Sequence, residues 1–325
     1  MAIISVSRRT DIPAFFSEWF MKRIRAGFFH RLNPFNSHQV RRISLEPDNV
    51  DAIVFWSKNP QPLLKYLTEL DQRGYCYYFQ FTLNSYDSCF EPHLPPLEER
   101  IDTFRRLSSR IGPERVVWRY DPIILSSATP PDYHVEMINR IAAKLHDSTE
   151  RLMFSFFDFY PKLRSRLREL EQRSGITIHD TSSGIHELIA YELVRHIGRV
   201  AASHSMGAYS CADERDLSAL DVRHGSCIDG DLIAAISGRA LRFARDRHQR
   251  AACCCVESIE MGMYDTCPYQ CVYCYANRSG KGVEANLLKH DPSSASIIGN
   301  FGESVEISLS DSSEKVRNDK YNTPI

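Results

Sequence analysis

The sequence predicts an α/β fold built on parallel strands, a TIM-like (β/α) barrel of six βα units, open or partial, with a C-terminal cysteine-rich segment over its mouth. Short apolar runs alternate with helical patterns through residues 3–225, and strands separated by helices pair in parallel because each crossover needs a helix. The runs are rich in aromatic and β-branched residues and almost continuously apolar, which fits strands buried on both faces. The rival is a doubly wound open sheet, but no Gly-rich phosphate loop follows the first strand.

The first strand is IISVS, residues 3–7. In residues 13–27 Phe16, Trp19, Phe20 and Ile24 recur at helical spacing and Gly27 supplies a stop. Residues 28–45 read as a hairpin around the turn Asn33-Pro34-Phe35-Asn36. Five further strands are DAIVFWSKNP (51–60), YCYYFQFTLN (75–84), RVVWRYDPII (115–124), RLMFSFFDFY (151–160) and MGAYSCA (206–212). Between them lie amphipathic helical segments at 61–74, 96–112, 131–146, 161–175 and 185–204. The second of these carries Leu97, Ile101, Phe104 and Leu107 on one face. Residues 229–250 read as one more helix, basic in its second half. The expected organisation is a barrel over 1–225, a helix plus cysteine-rich segment packed on it over 226–300, and a loose Ser- and Asn-rich tail over 301–325.

The chain has 325 residues, 43% hydrophobic and 25% charged, with a formal net charge of -1. That balance is ordinary for a globular enzyme and gives no global electrostatic pull toward nucleic acid or a membrane. No apolar run approaches the ~18 residues of a membrane span. The N-terminus has a short apolar run followed by Arg8 and Arg9, unlike a signal peptide. The expected compartment is the cytoplasm, where ten cysteines stay reduced and clustered ones read as metal ligands.

Cys267, Cys271 and Cys274 fall within DTCPYQCVYCYAN, residues 265–277. A structural zinc site closes with four ligands, and a cubane iron–sulfur cluster normally takes four thiolates. Three thiolates this close can hold three irons and leave the fourth open to a non-protein ligand, as a catalytic centre requires. The rival is a zinc knuckle completed by a distant residue. Cys211, Cys227, Cys253 and Cys255 form a second candidate set, either a closed iron–sulfur cluster or zinc site, or four unrelated thiols. Adjacent cysteines cannot all point one way, so Cys253 and Cys255 are the better pair of their run. Cys76 and Cys89 stand apart as core or loop thiols.

Polar residues follow the apolar strands: Ser7, Arg8, Arg9 and Asp11; Ser57, Lys58 and Asn59; Thr82 and Asn84; Arg119 and Asp121; Asp158; Ser210. Charges at the ends of apolar strands are costly unless paired or used. In a barrel they meet at one mouth, where arginines grip carboxylates or phosphates and Asp121 and Asp158 suit hydroxyl or amino groups. The alternative is a ring of ion pairs that neutralises itself. Arg239, Arg242, Arg245 and Arg250 form a basic stretch, a phosphate-contacting face or a solvated one. The histidines are scattered without ligand spacing.

The C-x3-C-x2-C spacing, with Tyr273 before the last cysteine, resembles the radical S-adenosylmethionine (SAM) signature, and CVYCYAN and WSKNP resemble spore photoproduct lyase relatives. SVSRRTDIPAF, NPFN, FWSKNP, RYDPI and the cysteine segment together resemble an uncharacterised bacterial family, domain of unknown function 1848, over residues 3–299. The resemblance implies a [4Fe-4S] cluster on Cys267, Cys271 and Cys274, with SAM on the open iron. It further implies reductive cleavage to a 5′-deoxyadenosyl radical, and a low-potential donor such as flavodoxin or ferredoxin. The WSKNP resemblance puts Lys58 and Asn59 first as SAM contacts; the strand-end residues Arg8, Arg9, Arg119, Asp121 and Asp158, with Tyr273 of the cysteine loop, are the further candidates. Two departures stand out: in radical SAM proteins the triplet follows the first strand, and the Gly-Gly-Glu segment is absent here. The substrate is open, with nucleic acid included. The alternative function is a non-catalytic, metal-stabilised nucleotide- or nucleic-acid-binding protein.

Overall fold

The computed structural model describes residues 1–33 and 36–299, with backbone alone for 36–38, and the backbone of 306–309. In chain order the strands are β1 (Ala2–Val6), β2 (Phe28–Asn33), β3 (Asn36–Ser44), β4 (Val50–Ser57), β5 (Tyr77–Thr82) and β6 (Val116–Ile123). They continue as β7 (Arg151–Phe156), β8 (Gly207–Cys211), β9 (Val222–Gly225), β10 (Ile259–Glu260) and β11 (Glu306–Leu309). The helices are α1 (Ile12–Phe15), α2 (Ser17–Ala26), α3 (Gln61–Leu64), α4 (Leu67–Gln72) and α5 (Leu97–Ile111). After them come α6 (Pro131–Lys144), α7 (Arg164–Ser174), α8 (Gly184–Ser203), α9 (Gly230–Ser237) and α10 (Gly280–Leu287).

Eight strands form one parallel sheet in the order β10-β1-β4-β5-β6-β7-β8-β9. The sheet is not closed: β9 and β10 are its two edges. The six strands legible in the sequence are β1 and β4–β8. The other two, VRHG and IE, are too short and too polar to show as apolar runs. The segment beyond residue 225 thus contributes a strand beside β1, in register at Ile4↔Ile259.

Strand alternation sorts the side chains into two faces. Phe55, Phe79, Trp118, Tyr120 and Phe154 point to the face that the helices cover, joined there by Trp19, Phe20, Phe104, Ile138 and Ile197. Phe55 and Phe79 stack at 4.7 Å between ring centroids. Full burial of one such ring is worth roughly 1.5–3 kcal/mol, so this layer carries the main stabilisation. The intervening residues, Ile3, Val54, Tyr78, Val117 and Met153, pack on the other face with Leu232 and Ile233 of α9. The loop after the edge strand β9 reaches the middle of the sheet, where Tyr78 Oη and Gln80 Nε2 donate to the Cys227 carbonyl at 2.7 and 2.8 Å.

Chain punctuation sets the helix ends. Gly27 (φ 73°) ends α2 in the left-handed conformation, as its position after the periodic stretch requires. The helix expected over 229–250 is corrected: α9 stops at Gly238 (φ 65°), and no helix follows until α10. The expected helix at 61–74 is two short pieces, α3 and α4. β2 and β3 form the expected antiparallel hairpin, paired from Phe28↔Ser44 to Asn33↔Asn36, while Pro34 and Phe35 of its turn lie outside the described residues. β11 adds to β3 in parallel within the expected tail. The rest of 301–325 lies outside the described residues. Among the described residues no helix is long and apolar enough to cross a membrane.

Candidate functional site

A cavity of about 280 Å³ opens at the C-terminal ends of the sheet strands. Parallel strands put all these ends on one side, so residues far apart in sequence share its wall. Ser7 follows β1, Lys58 follows β4, Thr82 ends β5, Asp121 lies in β6, Ser155 in β7 and Cys211 ends β8. Of the predicted residues, Arg8, Arg9, Asp11, Ser57, Arg119 and Asp158 also line it, as do Tyr273 and both cysteine sets. Asn59, Asn84 and Ser210 do not. Asn84 instead holds the β6 backbone, donating to Asp121 O at 2.9 Å and accepting from Asp121 N at 3.0 Å.

One wall is a connected set of charges. Asp11 caps α1 through Ala14 N (3.1 Å) and accepts from Ser57 Oγ (2.7 Å) and Lys58 N (2.7 Å). Burial pushes its carboxyl up to about 6, against those three donors and the Lys58 charge. Lys58 Nζ reaches Glu91 Oε1 at 2.7 Å, and Tyr273 donates to the same oxygen. The other Glu91 oxygen is buried without a protein partner. Arg119 pairs with Asp121, which Ser155 also donates to. Burial opposes ionisation of Asp121, but Arg119 and Ser155 hold its carboxyl below the ordinary range. Asp158, at the rim, pairs with Arg250.

The second wall is aromatic and cationic. Trp56 lies close to two guanidinium groups, with Arg119 at 4.8 Å and Arg8 at 5.4 Å from its ring centroid. Its indole Nε1 and Arg8 Nη2 are buried and lack protein partners. Buried polar atoms are normally satisfied, so such a pair beside a cavity marks where a ligand's acceptor atoms fit. Arg9 lies over Tyr264 at 4.4 Å.

All ten cysteines are free thiols. Cys267, Cys271 and Cys274 sit on a loop tied from several sides. Cys274 N donates to Cys271 O (3.0 Å), Val272 N to Phe90 O (2.9 Å) and Asn277 Nδ2 to Cys267 O (2.7 Å). Arg166 donates to the carbonyls of Cys271, at 3.3 Å, and Cys274. Burial pushes the Cys267 thiol up to about 12 and Cys271 well above the ordinary range, so thiolates here call for a cation alongside. In the second set Cys227, Cys253 and Cys255 are buried and Cys254 is exposed. Cys76 and Cys89 lie outside the cavity lining. Among the described residues, no group of three or more His, Cys, Asp or Glu side chains is drawn together as a single metal ion requires.

The basic stretch is mostly spoken for. Arg239 pairs with Asp51 (3.0 Å), Arg245 Nε donates to Cys253 O (2.9 Å) and Arg250 pairs with Asp158. Sequence reading missed Trp56, Ser155 and Glu91. Period-two alternation puts Trp56 and Ser155 on the face opposite Phe55 and Phe154 and could have found both. Glu91 comes from the irregular loop after β5, and only its place as a lone acid within SCFEPHLPP hinted at it.

A family model described as Domain of unknown function (DUF1848) matches residues 3–276, and the chain belongs to that family. No curated protein matches the chain.

Proposed function

We propose that this chain is a radical SAM-like iron–sulfur enzyme acting on a substrate still to be identified, its curved parallel sheet serving as a partial (β/α) barrel. The observation that carries the reading is shared location. The three thiols of the C-x3-C-x2-C loop line the same cavity as the strand-end charges Arg8, Lys58, Arg119 and Asp121.

The donor set fits a cubane cluster with one open corner: three cysteines on a braced loop, facing free volume. Cys267, Cys271 and Cys274 would hold the cluster, which with SAM supplies one-electron reductive cleavage to a 5′-deoxyadenosyl radical. The chain's own residues bind and orient. Arg8 Nη2 and Trp56 Nε1 offer donors to carboxylate or phosphate oxygens. Asp121, fixed by Arg119, Ser155 and Asn84, offers an acceptor to a hydroxyl or amino group. Lys58 is held by Glu91 and Tyr273, which joins the end of β4 to the cysteine loop. Phe156, Phe157, Tyr160 and Tyr275 add apolar surface to the cavity wall. A low-potential electron carrier of the flavodoxin or ferredoxin type would complete the system. The intramolecular pairing of Arg239, Arg245 and Arg250 leaves the nucleotide- or nucleic-acid-binding reading with less support.

Anaerobic reconstitution with iron and sulfide, then reduction in the presence of SAM, tests this. The expected product is 5′-deoxyadenosine, absent from Cys271→Ser. A fully loaded, reduced protein that makes none overturns the proposal.

A further inference from the structure

We propose that Cys211, Cys227, Cys253 and Cys255 hold a second iron–sulfur cluster, closed by four protein thiolates, in the wall of the same cavity. Three separate stretches of chain converge to make this set: the end of β8, the loop after β9 and the turn before β10. Cys211 Sγ lies 2.9 Å from Cys227 Sγ. That is well beyond a disulfide bond, about 2.05 Å. Cys227, Cys253 and Cys255 are buried in one cluster, and Cys211 packs against it. Cys253 and Cys255 turn inward as alternate residues do, and Cys254 between them is exposed.

The surroundings suit bound thiolates. Arg119 Nη1 donates to Cys227 Sγ at 2.8 Å and the backbone N of Ile228 to Cys255 Sγ at 3.4 Å. N–H donors to sulfur are the outer contacts that tune and hold a thiolate-bound metal. Arg8, half-buried, lines the same cavity. Two guanidinium groups therefore stand near the four thiols, one of them also paired with Asp121, and nearby cations favour the thiolate form that a cluster needs. A disulfide between Cys211 and Cys227 would leave two thiols unused.

Four closed thiolates suit an iron–sulfur core or a single zinc ion. All four cysteines border open cavity volume, which has room for the larger inorganic core.

The inference does not depend on the role given to Cys267, Cys271 and Cys274, and its test is arranged to separate the two. Iron, acid-labile sulfide and zinc are measured per chain after anaerobic reconstitution, together with the Mössbauer spectrum. The triple variant Cys267→Ala/Cys271→Ala/Cys274→Ala is expected to retain about four iron and four sulfide as a diamagnetic [4Fe-4S] cluster. Adding Cys227→Ser and Cys255→Ser is expected to remove them. In case the combined variants do not fold, the single variants Cys227→Ser and Cys255→Ser in the full chain give the same answer, since iron should fall about two-fold from the parent. Cys254→Ser is the control and should keep the full iron content. A folded triple variant with no iron, or with zinc and no sulfide, overturns the proposal. So do Cys227→Ser and Cys255→Ser variants that keep the parent's iron.

Discussion

Lys58 Nζ and Glu91 Oε1 lie 2.7 Å apart, and the Glu91 side chain is fully buried. Tyr273, inside the cysteine loop, donates to the same carboxylate oxygen, and its ring faces the Lys58 ammonium at 5.5 Å. Three segments remote in sequence are thus pinned by one acid: the end of β4, the loop after β5 and the C-terminal cysteine loop. The cysteine loop has no regular structure of its own between β10 and α10, so an anchor of this kind fixes it against the sheet.

Removing that acid should cost more than an exposed ion pair does. Glu91→Ala leaves the Lys58 charge and the Tyr273 hydroxyl without their partner in a buried place, and such breaks cost about 3–5 kcal/mol. Urea unfolding should show a loss of that order, with a smaller one for Glu91→Gln, which keeps an acceptor. Replacing both members, as Lys58→Met/Glu91→Leu, should recover part of the Glu91→Ala loss. Equal stability of Glu91→Ala and the parent would show that the anchor is not a structural one.

Arg166 is the second brace, with its guanidinium on the carbonyls of Cys271 and Cys274. Outer contacts of this kind typically change metal affinity 10–100-fold. For a cluster on the proposed triplet, Arg166→Ala should speed iron loss to a chelator at least about ten-fold, with Arg166→Lys in between. Unchanged release kinetics would count against the brace.

The central strands could be read in the sequence because β4–β7 are largely apolar and aromatic on both faces. The edges could not. β10 offers Ile259 and Glu260 alone, and it pairs with β1 only because the chain returns there. The helix expected through 250 failed at Gly238, where a left-handed residue outweighed a helical pattern that continues beyond it. Strand-end charges were legible because parallel pairing places every C-terminal end on one side. The place of Glu91 depends on the path of an irregular loop, which periodicity does not encode.

Gly262 is a position where the close packing of the cavity wall can be tested. A Cβ there would lie 1.8 Å from Ser7 Oγ and 2.7 Å from Ser7 Cβ. Ser7 Oγ is already fixed by accepting from the amides of Arg9 (3.0 Å) and Thr10 (3.1 Å). Gly262→Ala should therefore destabilise by about 1–3 kcal/mol through overpacking. Combining it with Ser7→Gly should relieve part of the clash. An unchanged melting temperature for the single variant would show that Ser7 moves aside freely.

His134 gives the fold a pH dependence away from the cysteines. It is fully buried, its Nδ1 accepting from Tyr120 Oη at 2.8 Å and its Nε2 donating to Ile124 O at 3.0 Å. This neutral arrangement has no place for a second proton, and burial pushes the imidazole down to about 4 despite the backbone bonds that favour its charge. In the unfolded chain the group titrates near 6.5. Between those values the unfolded state binds more protons, so stability is present in full above about 6.5 and is lost as pH falls toward 4. The loss amounts to about 3 kcal/mol from this residue. Urea unfolding of the parent and of His134→Gln at a series of pH values should show a shallower slope in the variant across that window. Parallel curves would show that His134 does not set the acid sensitivity.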